Sequence, residues 1–250
     1  MSACIRAPGQ LILRCALAVM LVVAMALPLA AHAADSLDAR AQQLFAVVNQ
    51  YWAREFVVLK ASYVAPTLGM DAHALANGCS EGASVVGPFY CPDESRVYLS
   101  EDFLQRVRGS AGDAMDLALA FIVGHEIGAH IQDLIGTTEQ VENARANSTA
   151  ALSARTWTLA QLQKDCYAGL AVRYALAARQ VAPGDVSAAL TAVATVSQDA
   201  QGRLQQGQVS ADPILTYATP AERLAWFHQG LDKGDFAGCD TFAAAAAGTP

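Results

Sequence analysis

Positive charge is scarce in this sequence: Lys and Arg together number 16 against 23 Asp and Glu, and the basic residues are scattered along the chain. A surface without a basic cluster lacks the footprint of a phosphate backbone, which argues against nucleic acid as a partner. No internal repeat is present, so a solenoid or propeller is excluded. The one long apolar run, Cys15 to Leu27, falls short of the ~20 residues that a membrane-spanning helix requires.

That run belongs to a leader. Arg6 and Arg14 give a positive start without an acid, and Pro28 leads into Leu-Ala-Ala-His-Ala, where Ala31 and Ala33 suit a signal peptidase. The pattern predicts cleavage after Ala33, export to the periplasm or extracellular space, and no membrane attachment afterwards. No cysteine stands at the cleavage point, so a lipid anchor is not expected. Removal of residues 1–33 leaves 217 residues, enough for one compact domain, with 14 basic and 23 acidic side chains and a net charge of −9. Four cysteines remain, Cys79, Cys91, Cys166 and Cys239. In an oxidising compartment an even count points to two disulfides, and four cysteines allow three pairings.

Periodicity and capping signals describe a mainly helical α+β domain. Leu37, Ala41, Leu44, Val48, Trp52, Phe56 and Leu59 recur at helical spacing behind Ser36, predicting a helix over 37–61. The stretch from Val64 to Gly87 lacks a clear period and reads as a loop, whereas Phe89 to Cys91 and Arg96 to Leu99 flank a turn and read as a small hairpin. Ser100 opens a short helix to about Arg108. Asp113 is expected to cap a helix over 114–135, stopped by Gly136, and that helix has no consistently polar face, so it should be central and buried. Further helices are expected over 148–179 and 185–197, and Thr219-Pro220-Ala221-Glu222 opens a last one to about Lys233. Residues 243–250, mostly alanine, read as a flexible tail.

The chemistry lies in the buried helix, which contains Gly124-His125-Glu126-Ile127-Gly128-Ala129-His130. Charged and polar groups in such a helix need partners, because an unpaired buried ion costs several kcal/mol, on the order of the usual burial penalties. A zinc peptidase helix carries His-Glu-x-x-His, which puts both imidazoles on one face with the glutamate beside a metal-bound water. Here the second histidine stands one place late. Positions five apart point about 140° away from each other on a regular helix, against about 40° for positions four apart. His125 and His130 could share an ion only across a π-bulge within 126–129. Glu126 and His130, four apart, could instead meet as a hydrogen-bonded acid and imidazole.

The set Cys79, Gly87-Pro88-Phe89-Tyr90-Cys91-Pro92, Val97-Tyr98-Leu99, His125-Glu126-Ile127-Gly128, Asp165-Cys166-Tyr167-Ala168-Gly169, Trp226-Phe227 with Gly230, and Cys239-Asp240-Thr241-Phe242 resembles the neutral zinc metallopeptidase family over about residues 40–242. The resemblance implies a zincin-like domain over 34–242. It matches His125 to the first zinc-binding histidine and Glu126 to the catalytic glutamate. Ala129 stands where the second zinc-binding histidine is expected, Gln161 where a glutamate ligand is expected, and Tyr217 with Ala218 where a histidine and glycine are expected. His130 matches a histidine that follows the second ligand, so it is in its own place. The same resemblance frames a disulfide pairing of Cys79 with Cys91 and Cys166 with Cys239.

A catalytic zinc needs three protein ligands and an open position. Of the expected set only His125 is intact, so no metal cofactor and no hydrolysis of the family type are expected. The sequence thus points to a pseudopeptidase that holds a peptide or protein along Val97-Tyr98-Leu99 without cutting it. Two alternatives stay open: a peptidase with a rebuilt zinc site drawing on His125, His130, Asp165, Glu139 or Glu142, and a purely structural exported protein.

Overall fold

The computed structural model describes residues 36–70, 87–205 and 218–248. The first helix, α1 (Leu37–Val58), begins at Ser36, whose hydroxyl accepts from Ala39 N. It buries the predicted stripe, from Leu37 through Trp52 to Phe56. Trp52 packs edge-on against Tyr167, which in turn stacks on Phe236. Fully burying a large apolar side chain contributes ~1.5–3 kcal/mol, so this aromatic group anchors α1 to the core.

A three-stranded sheet follows, made of β1 (Thr67–Gly69), β2 (Phe89–Cys91) and β3 (Arg96–Tyr98) in the order β1-β3-β2. The expected hairpin is present: β2 and β3 pair antiparallel, with Tyr90 opposite Val97. β1 was not expected. It lies in the stretch read as a loop and pairs parallel with β3, Leu68 opposite Val97. Both edges of β3 are therefore occupied, and Val97, Tyr98 and Leu99 are buried. A strand that lacks a free edge cannot accept an added chain, so the expectation that Val97 to Leu99 hold a peptide by strand addition is corrected here.

The rest of the described chain is helical: α2 (Glu101–Ala111), α3 (Met115–Leu134), α4 (Thr137–Ala146), α5 (Ala150–Ala177), α6 (Val186–Gln205), α7 (Pro220–His228) and α8 (Thr241–Ala246). Ser100 caps α2 by accepting from Phe103 N. Asp113 does not cap α3; it sits in a 3-10 turn, Gly112–Ala114, that joins α2 to α3. The stretch Glu101–Leu134 is long and apolar enough to cross a membrane by length and composition, yet its most apolar window is 89% buried inside the protein. It is a core element. The capping box at Thr219 and Glu222 forms with Pro220 in the first turn, as the sequence indicates. A π-helical turn, Gln229–Lys233, continues α7. The tail expected to be loose over 243–250 is helical at its start: Thr241–Ala246 form α8, with Asp240 accepting from Phe242 N and Ala243 N.

The site is positioned by α3 and α5, which run antiparallel in close contact. A Cβ on Gly124 would lie 2.9 Å from Ala168 Cα, and one on Gly128 would lie 3.4 Å from Lys164 Cα. Glycine at these places lets the two backbones approach. A second close approach, Gly169 against Gly230, docks the end of α7 on α5: a Cβ on Gly169 would meet Phe227 O at 2.1 Å.

Candidate active site

His125 on α3 is fully buried, and its Nδ1 lies 3.0 Å from Oδ1 of Asp165 on α5. Asp165, also fully buried, receives Arg223 Nη2 on Oδ1 at 2.7 Å and Arg223 Nε on Oδ2 at 2.9 Å. Burial raises the Asp165 pKa, but the Arg223 guanidinium and the His125 contact outweigh it and hold the carboxyl below its ordinary range. Burial, reinforced by Lys164, lowers His125 to about 4 against the upward pull of Asp165. The imidazole is thus neutral, with its proton on Nδ1 donated to an ionised carboxylate. Such a partner fixes the tautomer and leaves Nε2 as a lone pair facing inward.

Among the described residues that lone pair has no hydrogen-bond partner, and neither has Oε1 of Gln161, one turn before Asp165 on α5. Ala129, one turn after His125, shares a cleft with Gln161, Glu126, Glu142, Tyr90, Trp157 and Lys164. The three positions singled out on α3 and α5 (Glu126, Ala129 and Gln161) therefore line one cleft. Tyr217 and Cys79 lie outside the described residues. Cys91 is disulfide-bonded, with its partner outside them too. The Cys166–Cys239 bridge is present.

The rebuilt metal site is not what these residues form. Helix α3 is α-helical throughout, without a π-bulge at 126–129. His130 turns both ring nitrogens away, Nδ1 to Tyr90 Oη at 2.8 Å and Nε2 to Val64 O at 2.8 Å. Asp165 has its oxygens committed to Arg223 and His125, and Glu139 is exposed on α4. Among the described residues no three His, Cys, Asp or Glu side chains come together around a common point. The residues present do not fit zinc: a neutral imidazole nitrogen on His125 and a neutral amide oxygen on Gln161, with alanine at position 129, do not supply the donor set that a catalytic zinc requires.

Several residues of the site escaped sequence reasoning. Arg223 reads as part of a capped surface helix, and the packing of α7 on α5 brings it onto Asp165. Tyr90 links the sheet to α3, donating to Asp133 Oδ2 at 3.0 Å and meeting His130, and burial raises its pKa so that it stays protonated. Gln132 donates to Ala160 O at 2.9 Å and Gln163 Oε1 at 2.8 Å, a further clasp between α3 and α5. Tyr90 of β2 and Pro92 just after it contribute to the cleft wall, and among the described residues the only strand partner of β2 is β3.

The profile of the family described as "Putative neutral zinc metallopeptidase" matches residues 24–242. The protein YpfJ of Escherichia coli (strain K12) is 32% identical over 199 residues, covering 80% of this chain and 69% of its own length. Rv2575 of Mycobacterium tuberculosis (strain ATCC 25618 / H37Rv) is 33% identical over 203 residues, covering 76% of this chain and 67% of its own length. No solved structure matches significantly. With its site helix, its oriented His125 and a match that spans most of its length, the chain belongs to the neutral zinc metallopeptidase family.

Proposed function

We propose that this protein is an exported pseudopeptidase, which holds an extended peptide or protein segment in the family cleft without hydrolysing it. The observation that carries the reading is the cleft beside Glu126, where Ala129 and Gln161 stand at the positions expected to hold zinc ligands, while His125 Nε2 has no hydrogen-bond partner among the described residues. The groups that orient the first histidine are kept, while two of the positions expected to complete a metal site hold residues unfit for it. Without a Lewis acid to polarise the carbonyl and a water made nucleophilic beside Glu126, hydrolysis loses its main electrostatic support.

Peptide binding does not need that chemistry. Among the described residues β2 pairs only with β3, so its other side, next to Tyr90 in the cleft wall, is the edge where main-chain hydrogen bonding to an extended chain is proposed, and the cleft offers room for a side chain. The leader supports export to the periplasm or beyond. The test is to incubate the mature protein with a mixture of extended peptides, recording the β2 amide resonances and the masses of the peptides together. Saturable shifts at Phe89–Cys91 with every peptide intact fit the reading, and Ala129→Trp, which fills the cleft, should abolish them. Cleaved peptides, or no binding, would overturn it.

A further inference from the structure

Three glutamines are buried where α3 meets α5: Gln132, Gln161 and Gln163, each 5% exposed. Two of them have a structural part. Gln132 donates to Ala160 O and to Gln163 Oε1, so these two side chains hold the helices together. Gln161 takes no part in that clasp. Its amide makes no hydrogen bond to any described residue, and Oε1 is fully enclosed as well as unpartnered. An idle amide at this depth runs against the rule that buried polar groups are paired, and points to a partner that the chain does not itself supply.

The Gln161 side chain lines the cleft together with the apolar side chains of Ala129, Val141 and Ala160. Both ends of its amide are unserved, so a group that only donates or only accepts satisfies half of it. An ammonium meets the Nε2 hydrogens with more hydrogens, and a carboxylate meets Oε1 with more oxygen. A hydroxyl serves both ends poorly from one atom. A trans main-chain peptide group points its N–H and C=O to opposite sides, so it serves one end at a time. A primary carboxamide carries C=O and N–H side by side on one edge, the arrangement of Gln161 itself, and two such edges close a pair of parallel hydrogen bonds. The last torsion of a glutamine is soft, so Gln161 can turn that edge to the cleft. The selection is of a neutral group by a neutral group and does not depend on the ionic partners of Glu126, Glu142 or Lys164.

The geometry points to a primary carboxamide as the ligand of this cleft, paired edge to edge with the Gln161 amide. This rests on the peptide-binding reading and deepens it: the carboxamide belongs to a glutamine or an asparagine side chain of the bound segment.

Butyramide is the minimal probe, with methyl propyl ketone and butyrate as controls of matching size, titrated into the intact mature protein while the Gln161 Nε2 proton resonances are followed. Butyramide should shift them saturably and the controls should not; equal shifts from all of them, or none from butyramide, overturn the inference whatever peptides do. Gln161→Met, with an unchanged unfolding midpoint, should weaken butyramide roughly tenfold in calorimetry, the effect of losing the paired hydrogen bonds. Unchanged affinity in that variant overturns the assignment to Gln161, and if the variant does not fold, the probe comparison on the wild-type chain decides alone. Alanine peptides blocked as N-acetyl methylamides, with glutamine, asparagine or methionine at the centre, then separate the sources. Tighter binding with glutamine or with asparagine over methionine assigns that side chain. If methionine binds as tightly as both, the peptide-binding reading stands and the carboxamide assignment falls. If no peptide binds but butyramide does, the carboxamide site stands and the peptide-binding reading falls.

Discussion

At the scale of single residues, the buried trio His125, Asp165 and Arg223 sets the acid sensitivity of the protein. His125 stays neutral in the native state down to about 4, whereas an unfolded histidine takes up its proton near 6.5. The unfolded state therefore binds more protons between those values, and the contribution is complete above about 6.5 and is lost as pH falls toward 4. The loss is on the order of 3 kcal/mol. Asp165, held below its ordinary range, adds a further loss once pH drops below the unfolded carboxylate value. Thermal unfolding midpoints at pH 7.5 and 4.5 should differ accordingly, and His125→Gln should flatten that difference; an unchanged slope would contradict the assignment of a neutral, buried imidazole. Asp165→Asn leaves the Arg223 guanidinium without its carboxylate and should cost ~3–5 kcal/mol in urea unfolding. His125 and Glu126 were legible in the sequence because ionisable groups stand out in an apolar helix. Arg223 was not, since its partner is 58 residues away and the helix that carries it shows only surface signals.

Among the elements, the crossing of α3 and α5 decides whether the cleft exists. Gly169→Ala would drive a methyl into Phe227 O, a 2.1 Å approach, and should destabilise by about 3 kcal/mol or more as α7 is pushed from α5. An equilibrium urea titration reads this directly; a change under about 0.5 kcal/mol, the scale of a neutral surface substitution, would mean that the helices have room to spare. The buried helix α3 announced itself by being apolar on all sides, and α1 by a clean stripe. Strand β1 did not, because three residues ending in glycine carry no alternation and its parallel pairing with β3 depends on contacts distant in sequence. Helix α4 is short and weakly apolar, so periodicity did not find it. The alanines after Thr241 show no apolar period, and it is the Asp240 cap that lets their helix propensity form α8.

For the whole molecule, the Cys166–Cys239 bridge joins residues 73 apart and ties the C-terminal segment to the helix that carries Gln161 and Asp165. In the chain-entropy account a loop of that size stabilises by roughly 4 kcal/mol. Reduction, or Cys166→Ala with Cys239→Ala, should lower the unfolding free energy by that order, and the His125–Asp165 contact should persist because Arg223 holds it independently. Fold class and site helix could both be read from the amino acids alone, whereas the occupancy of both β3 edges and the orphaned acceptor atoms needed the assembled structure.

The central claim is that this scaffold keeps the groups that orient a zinc ligand and has lost the ligands themselves. Zinc content per chain, measured by mass spectrometry on protein purified from the exported fraction without chelator, tests it most directly. The wild-type chain should carry far less than one zinc, and the Ala129→His, Gln161→Glu double variant should gain it. One tightly held zinc per wild-type chain, lost in His125→Ala, would contradict the account.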